Sequence, residues 1–238
     1  MKIALIGYGK MGHAIEEIAV QRGHEIVLKI AIDNTEENTL ENIRKADVAI
    51  EFSGPEAAFD NVIKCLDAGV PVVSGSTGWL QRFEEATRYC QAKNGAMLYT
   101  SNFSVGVNIF FAVNKRLAEL MAKHPEYGVS LTEIHHTQKK DAPSGTAISL
   151  AEDILKNRTD KKKWVNQPTA NKEELMILSE RIDPAPGTHI ITWASDIDDI
   201  EIKHTAHSRK GFASGAVLAA EFLHNKKGIY NMSDVLGL

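Results

Sequence analysis

The sequence predicts an α/β protein: a Rossmann-like doubly wound parallel sheet, joined to a second α+β domain with a mixed, mostly antiparallel sheet. Three observations carry this. Residues 2–100 alternate short apolar runs with segments of helical period, and a glycine-patterned turn, Gly7-Tyr8-Gly9-Lys10-Met11-Gly12, stands between the first run and the first helix. Residues 128–204 instead hold several strand-patterned stretches at short spacings. The expected division is 1–103, completed by 211–238, for the first domain and 104–210 for the second.

Bulk properties bound the function. A chain of 238 residues buries a sizeable core as one large domain or two small ones, and its net charge of -4 argues against a nucleic-acid binder working through overall electrostatics. The two cysteines, Cys65 and Cys90, lie apart with no C-x-x-C, which argues against a zinc site or a disulfide scaffold, so no metal is expected. There is no apolar run of the roughly 18 residues a membrane span needs and no signal-peptide pattern. A soluble, cytoplasmic protein is the expectation.

Lys2 to Ile6 reads as a strand and the segment closing at Arg22-Gly23 as a helix. In that context the first glycine permits the turn, the second lets backbone approach a pyrophosphate, and the third lets helix and strand pack. The competing reading is that the glycines only shape a turn. A second strand, Glu25 to Ile32, ends at Asp33, about 20 positions past the fingerprint, where a carboxylate accepts hydrogen bonds from the adenine ribose; a capping or turn acid is the alternative. Asn34-Thr35-Glu36-Glu37 follows, with no arginine for a 2′-phosphate, so NADH is favoured, with NADPH as the second candidate. Strands at 47–52, 71–74 and 96–100 and helices at 56–68 and 80–93 complete the alternation. The loops Phe52-Ser53-Gly54, Gly75-Ser76-Thr77-Gly78 and Thr100-Ser101-Asn102-Phe103 should then face the dinucleotide, unless they are plain strand-to-helix turns.

Val105 to Met121 reads as a helix. Gly128 to His135 alternates, with Val129, Leu131, Glu133 and His135 on one side, so the adjacent His135 and His136 point to opposite faces and cannot chelate one metal together. Ser144-Gly145-Thr146 opens a helix over 147–156 whose face is Ile148, Ala151, Ile154 and Leu155. Its free N–H groups suit a carboxylate, although a Ser/Thr cap is the plainer reading. The density of His135, His136, Lys139 and Lys140 beside that turn favours an anion site with acid chemistry. Asp160 to Lys163 reads as a solvated loop. Strands follow at 175–182, 189–194 and 199–204, then a last helix at 211–223.

At this point the chain resembles the dihydrodipicolinate reductases, also called 4-hydroxy-tetrahydrodipicolinate reductases, of the diaminopimelate route to lysine. The resemblance runs the full length. It rests on G-Y-G-K-M-G, G-S-T-G at 75–78, N-F-S-V-G-V-N at 102–108, E-I-H-H-T-Q-K-K-D-A-P-S-G-T at 133–146, H-T-A-H-S-R-K-G-F-A-S-G-A from His204 and M-S-D-V-L-G-L at the end. It implies NAD(P)H-dependent reduction of a cyclic dicarboxylate with a conjugated imine, with hydride delivered to the ring. His135 would be the proton donor and acceptor and Lys139 a second catalytic cation. His136, Ser144, Gly145 and Thr146 would hold the substrate. Gly7, Tyr8, Gly9, Lys10, Met11, Gly12, Asp33, Gly75, Ser76, Thr77, Thr100, Ser101, Asn102 and Phe103 would contact the cofactor. A homotetramer built through the second-domain sheets is implied as well. Thr137, Gln138 and Pro184-Ala185-Pro186 depart from the family pattern and bear on cofactor preference and loop contacts. The runner-up readings are another two-domain dehydrogenase of a small anionic substrate and a non-catalytic NAD-binding sensor.

Overall fold

The computed structural model describes residues 1–208 and 210–238; Arg209, inside the motif that starts at His204, lies outside them. Two compact units emerge, Met1–Asn108 with Lys210–Leu238, and Ile109–Arg209.

In β1 (Lys2–Ile6), Ile3 and Leu5 point to one face and Ala4 and Ile6 to the other, and all four are buried. A strand apolar on both faces belongs in a sheet covered on both sides. There follow α1 (Lys10–Gln21), β2 (Glu25–Ile30), a one-turn α2 (Leu40–Ile43), β3 (Val48–Glu51), α3 (Pro55–Asp67), β4 (Val72–Ser74), α4 (Phe83–Ala92) and β5 (Ala96–Tyr99). Strand β2 stops at Ile30, two residues short of the expected end. The Ala31 N–H is taken by the Asn34 side chain at 2.7 Å, which turns the chain and leaves Ile32 in solvent. Helix α4 starts at Phe83 because Leu80–Arg82 is a separate 3-10 turn.

Helix α5 (Val105–Met121) starts in the first unit and continues into the second, where β6 (Gly128–His135), α6 (Gly145–Asn157), β7 (Lys163–Val165), β8 (Glu174–Arg181), β9 (Gly187–Ala194) and β10 (Asp199–Ala206) follow. The sheet order is β10-β9-β6-β8-β7. It is mixed, as expected, but β6, β8 and β7 run parallel while β9 and β10 are antiparallel, so its pairings divide evenly. Part of the lysine run expected to be loop is strand: Lys163 opens β7, and Lys161 donates to the carbonyls of Lys172 and Glu174. Residues Phe110, Ala118 and Met121 of α5 and Ala147, Leu150, Ala151 and Ile154 of α6 join Val129, Leu131, Ile177, Ile191 and Trp193 in one core. The buried stripe of α6 is thus turned from the expected one, with Ile148 and Leu155 at its margin.

The chain ends with α7 (Lys210–Leu223), β11 (Gly228–Tyr230) and a capped α8 (Met232–Leu236). The first unit's sheet is parallel throughout, in the order β11-β5-β4-β3-β1-β2. Helices α3 and α4 supply one core and α1 and α7 the other, on opposite faces. The approach of α7 is close enough that a Cβ on Gly215 would lie 1.7 Å from the Phe103 carbonyl oxygen.

Candidate active site

The inward stripe of β6 starts in the core with Val129 and Leu131, and Glu133 and His135 carry it, still buried, to the strand end. Register explains their company. Glu133 pairs with Ser179 on β8 and His189 on β9, and His135 with Arg181. A buried carboxylate needs donors. Both Glu133 oxygens accept the Ser144 N–H at 3.1 Å, and Oε1 also accepts the Ser179 hydroxyl at 2.7 Å and Arg181 Nη2 at 3.3 Å. Oε2 faces His135 Nδ1 at 3.4 Å and His189 Nε2 at 3.8 Å.

These contacts set the charges. Burial raises the Glu133 carboxyl, but hydrogen bonds from Ser144 and Ser179 and the neighbouring imidazole outweigh it and leave the group below its usual range. Burial lowers His135; Glu133 opposes that shift, while Lys139, Arg181 and His136 reinforce it. His189, more enclosed, is pushed down to about 4 by burial. One ligand atom each from Glu133, His135 and His189 lies within 4.8 Å of the others, a spacing a metal ion could bridge. With Arg181 on the carboxylate and Lys139 adding positive potential, the arrangement reads instead as a hydrogen-bonded ionic cluster.

The loop after β6 is tied down at several points. Lys139 Nζ binds both Asp141 carboxylate oxygens at 2.8 Å, and that hydrogen bond holds the Asp141 carboxyl below its usual range. Arg181 donates to the carbonyls of Lys139 and Asp141, and Thr137 donates through its N–H and hydroxyl to Asp183. His136 is half-buried and Lys140 exposed.

Ser144 is engaged within the unit. Its hydroxyl caps α6, accepting the Ala147 N–H at 3.2 Å and meeting His189 Nε2 at 3.3 Å, and its N–H is spent on Glu133. The plainer cap reading therefore holds for Ser144. Among the described residues, the N–H groups of Gly145 and Thr146 have no protein partner, and a Cβ on Gly145 would meet nothing within 4 Å. An open helix start of this kind takes an anion.

In the first unit a cleft of about 650 Å³ is lined by Gly7, Tyr8, Gly9, Ile30 to Ile32, Thr35, Asn38, Phe52 to Gly54, Glu56, Asn61 and Lys64, with Ile6 and Ala57 beneath. Its glycines test the fit to a dinucleotide. Gly7 has φ +95° and a Cβ there would fall 2.3 Å from the Phe52 backbone, while one on Gly12 would come within 2.9 Å of the Gly7 oxygen. Both are required by the fold itself. A Cβ on Gly9 would meet nothing within 4 Å, so that glycine keeps space free at the mouth of α1, where a phosphate would lie. The residues fit the group.

Not every expected cofactor residue joins the cleft. Asp33 is exposed and outside it, because β2 ends early. Lys10 is exposed, and Met11 packs in the core behind the turn. Gly75 is glycine because a Cβ would strike the rings of Phe52 at 2.3 Å and Phe103 at 2.8 Å. Phe103 is itself core. Thr100 and Asn102 bond to each other, and Thr77 and Ser101 are exposed. The 75–77 and 100–103 segments lie outside this cleft's lining. Ser76 is buried and donates, like Ser53 and Ser74, to Glu51, a fully buried carboxylate with no ion pair among the described residues.

Sequence reasoning missed Glu133, Ser179, Arg181, His189 and Glu51 as site groups. For Glu133 a signal existed: a carboxylate on the inward side of an alternating strand, two residues before His135, must be held by partners. For the others the signal is pairing register, which one strand's sequence does not carry.

Family models described as dihydrodipicolinate reductase, N-terminus and C-terminus, match residues 1–103 and 106–236. A curated 4-hydroxy-tetrahydrodipicolinate reductase from Christiangramia forsetii is 50% identical over 236 residues, covering 99% of this chain and 98% of the relative. One from Methanosarcina barkeri is 38% identical, covering 88% of this chain and 81% of the relative. A dipicolinate-bound dihydrodipicolinate reductase from Paenisporosarcina sp. TG-14 shares the fold, with a TM-score of 0.78, 21% identity and 98% of each chain covered. On its two family-model matches and its relative of 50% identity over nearly the whole of both chains, the chain belongs to the dihydrodipicolinate reductase family.

Proposed function

We propose that the chain is an NAD(P)H-dependent oxidoreductase that reduces 4-hydroxy-tetrahydrodipicolinate to tetrahydrodipicolinate in the diaminopimelate route to lysine. The observation that carries the chemistry is a buried, carboxylate-backed imidazole, His135, on the same unit as the open start of α6. The dipicolinate-bound relative supports a cyclic dicarboxylate as ligand. When bound, the nicotinamide supplies a hydride to the substrate ring.

The chain's own residues do the rest. Gly145 and Thr146 N–H groups hold one substrate carboxylate, with His136 beside the strand end. The Lys139 ammonium, steered by Asp141, balances negative charge that develops on the ring. His135 supplies the proton to carbon; burial and cationic neighbours make its imidazolium a readier donor than a free one. In the first unit, Gly9 and the N-terminus of α1 receive the pyrophosphate, with Tyr8, Phe52 and Ser53 along the cleft.

NADH is the preferred reductant in this reading. Glu36 and Glu37 are exposed in the segment after β2, and among the described residues Lys64 is the one cation lining the cleft, its Nζ bonded to the Asn38 carbonyl at 2.9 Å. Paired kcat/KM values for NADH and NADPH test this; an NADPH preference overturns it. A homotetramer is proposed from the family resemblance, with light scattering as its check. No helix among the described residues is long and apolar enough to cross a membrane. The proposed cytoplasmic setting agrees with two buried, unpaired cysteines.

The decisive assay follows NADH absorbance with the product of dihydrodipicolinate synthase as substrate. Turnover with another carbonyl acid but not this one favours a different dehydrogenase, and binding without any turnover favours a sensor. His135→Gln should lower kcat by roughly 10² or more with cofactor affinity intact, and Lys139→Ala should also raise KM for the substrate. Normal kinetics in both variants removes these roles.

A further inference from the structure

His135 is asymmetric. Its Nδ1 is buried with no hydrogen-bond partner among the described residues, and the atom it faces is Glu133 Oε2 at 3.4 Å. Its Nε2 faces Gly187, where a Cβ would come within 3.2 Å. Gly187 also has φ +158°, so a side chain there is disfavoured twice, and its absence keeps space at Nε2.

We propose that Glu133 is a positioning residue that fixes the tautomer of His135, holding the proton on Nδ1 so that Nε2 is the nitrogen from which the substrate is protonated. This deepens the function above and rests on its assignment of His135 as proton donor.

The carboxylate's own partners make the assignment directional. Oε1 is occupied by Ser179 and Arg181, and Oε2, which shares the Ser144 N–H with it, is the oxygen that faces the ring. An ionised carboxylate only accepts, so Nδ1 must carry hydrogen to meet it. The 3.4 Å separation is loose, as catalytic hydrogen bonds commonly are before substrate binds. In the reaction the imidazolium loses its Nε2 proton to the substrate carbon, and the C–H bond forms as the N–H bond breaks. What remains is neutral imidazole with its hydrogen on Nδ1, the form Glu133 stabilises. The other groups acting on His135 are Lys139 and His136 from the following loop, Arg181 from β8 and His189 from β9. Glu133 is the one carboxylate among them, and the group that favours a charged ring. The same carboxylate holds the Ser144 N–H, so the proton donor and the start of α6 share one anchor.

Nitrogen NMR of histidine-labelled protein tests this. Above the His135 pKa, Nε2 should show as the pyridine-type nitrogen and Nδ1 as the pyrrole-type. In Glu133→Gln, Arg181 and Ser179 keep the amide oxygen, which turns the NH₂ toward Nδ1 and should move the ring hydrogen to Nε2. Its kcat should fall about tenfold or more, with KM for NADH unchanged. Glu133→Asp keeps an acceptor and should retain the wild-type tautomer. A wild-type ring protonated on Nε2 overturns the proposal, whether or not Glu133→Gln folds, and so does a Glu133→Gln ring that keeps its hydrogen on Nδ1. Normal turnover in His135→Gln instead overturns the parent assignment, whatever the tautomer.

Discussion

His189 offers a quantitative test of the cluster as a buried unit. Its imidazole is pushed from 6.5 to about 4, chiefly by burial, with a side-chain exposure of only 6%, so solvent screening takes little away. In the unfolded chain the ring takes its proton near pH 6.5. Between about pH 6.5 and 4 the unfolded state therefore binds the extra proton. Stability is fully present above that window and is lost as pH falls through it. At about 1.4 kcal/mol per pH unit, the full effect is on the order of 3 kcal/mol. The perturbation is His189→Asn, which removes the titration while keeping a polar side chain near Ser144. Urea unfolding read by tryptophan fluorescence, at steps from pH 7 to 4, gives the stability difference between wild type and variant. Trp164 and Trp193 report on the second unit, and contributions from the first unit cancel in the difference. The variant should gain on wild type by about 3 kcal/mol as pH falls. A difference constant across the range would mean that His189 titrates alike in both states and is not held neutral by burial.

Three further outcomes follow from local geometry. Gly7→Ala should unfold or strongly destabilise the first unit, whereas Gly9→Ala should leave the melting temperature unchanged and weaken NADH binding, both read by melting and cofactor titration. Gly145→Val, at a position with open space, should fold normally and raise substrate KM by roughly 10-fold or more. Arg181→Lys loses the planar fork that reaches Glu133 and two loop carbonyls, so substrate kcat/KM should fall about tenfold with NADH affinity unchanged. Unaltered steady-state kinetics in that variant would show the clamp to be dispensable.

The alternation of fold elements was legible in the sequence because apolar period and glycine punctuation are local signals. Helix α5 and strand β6 fall on the residues expected from pattern alone. Short pieces such as α2, β7 and β11 were not legible, since a few residues carry too little periodicity and are fixed by neighbours far along the chain. The site divides in the same way. His135, Lys139 and the Ser144 turn are contiguous and could be found together. Their supports, Ser179, Arg181 and His189, come from two other strands and meet Glu133 only through register. The end of β2 was set two residues late, because the apolar run continues through Ile32 whereas the Asn34 side chain takes the Ala31 N–H and ends the strand at Ile30.

The carboxylate of Glu51, shared among Ser53, Ser74 and Ser76, makes those three positions interdependent. Removing one hydroxyl deprives a buried acid of a donor and alters what the other two are worth, so effects of paired serine substitutions should depart from simple addition. Variation along these strand ends is therefore constrained as a set: a change tolerated in one background fails in another, and any redesign of the rim must treat the acid and its three hydroxyls together.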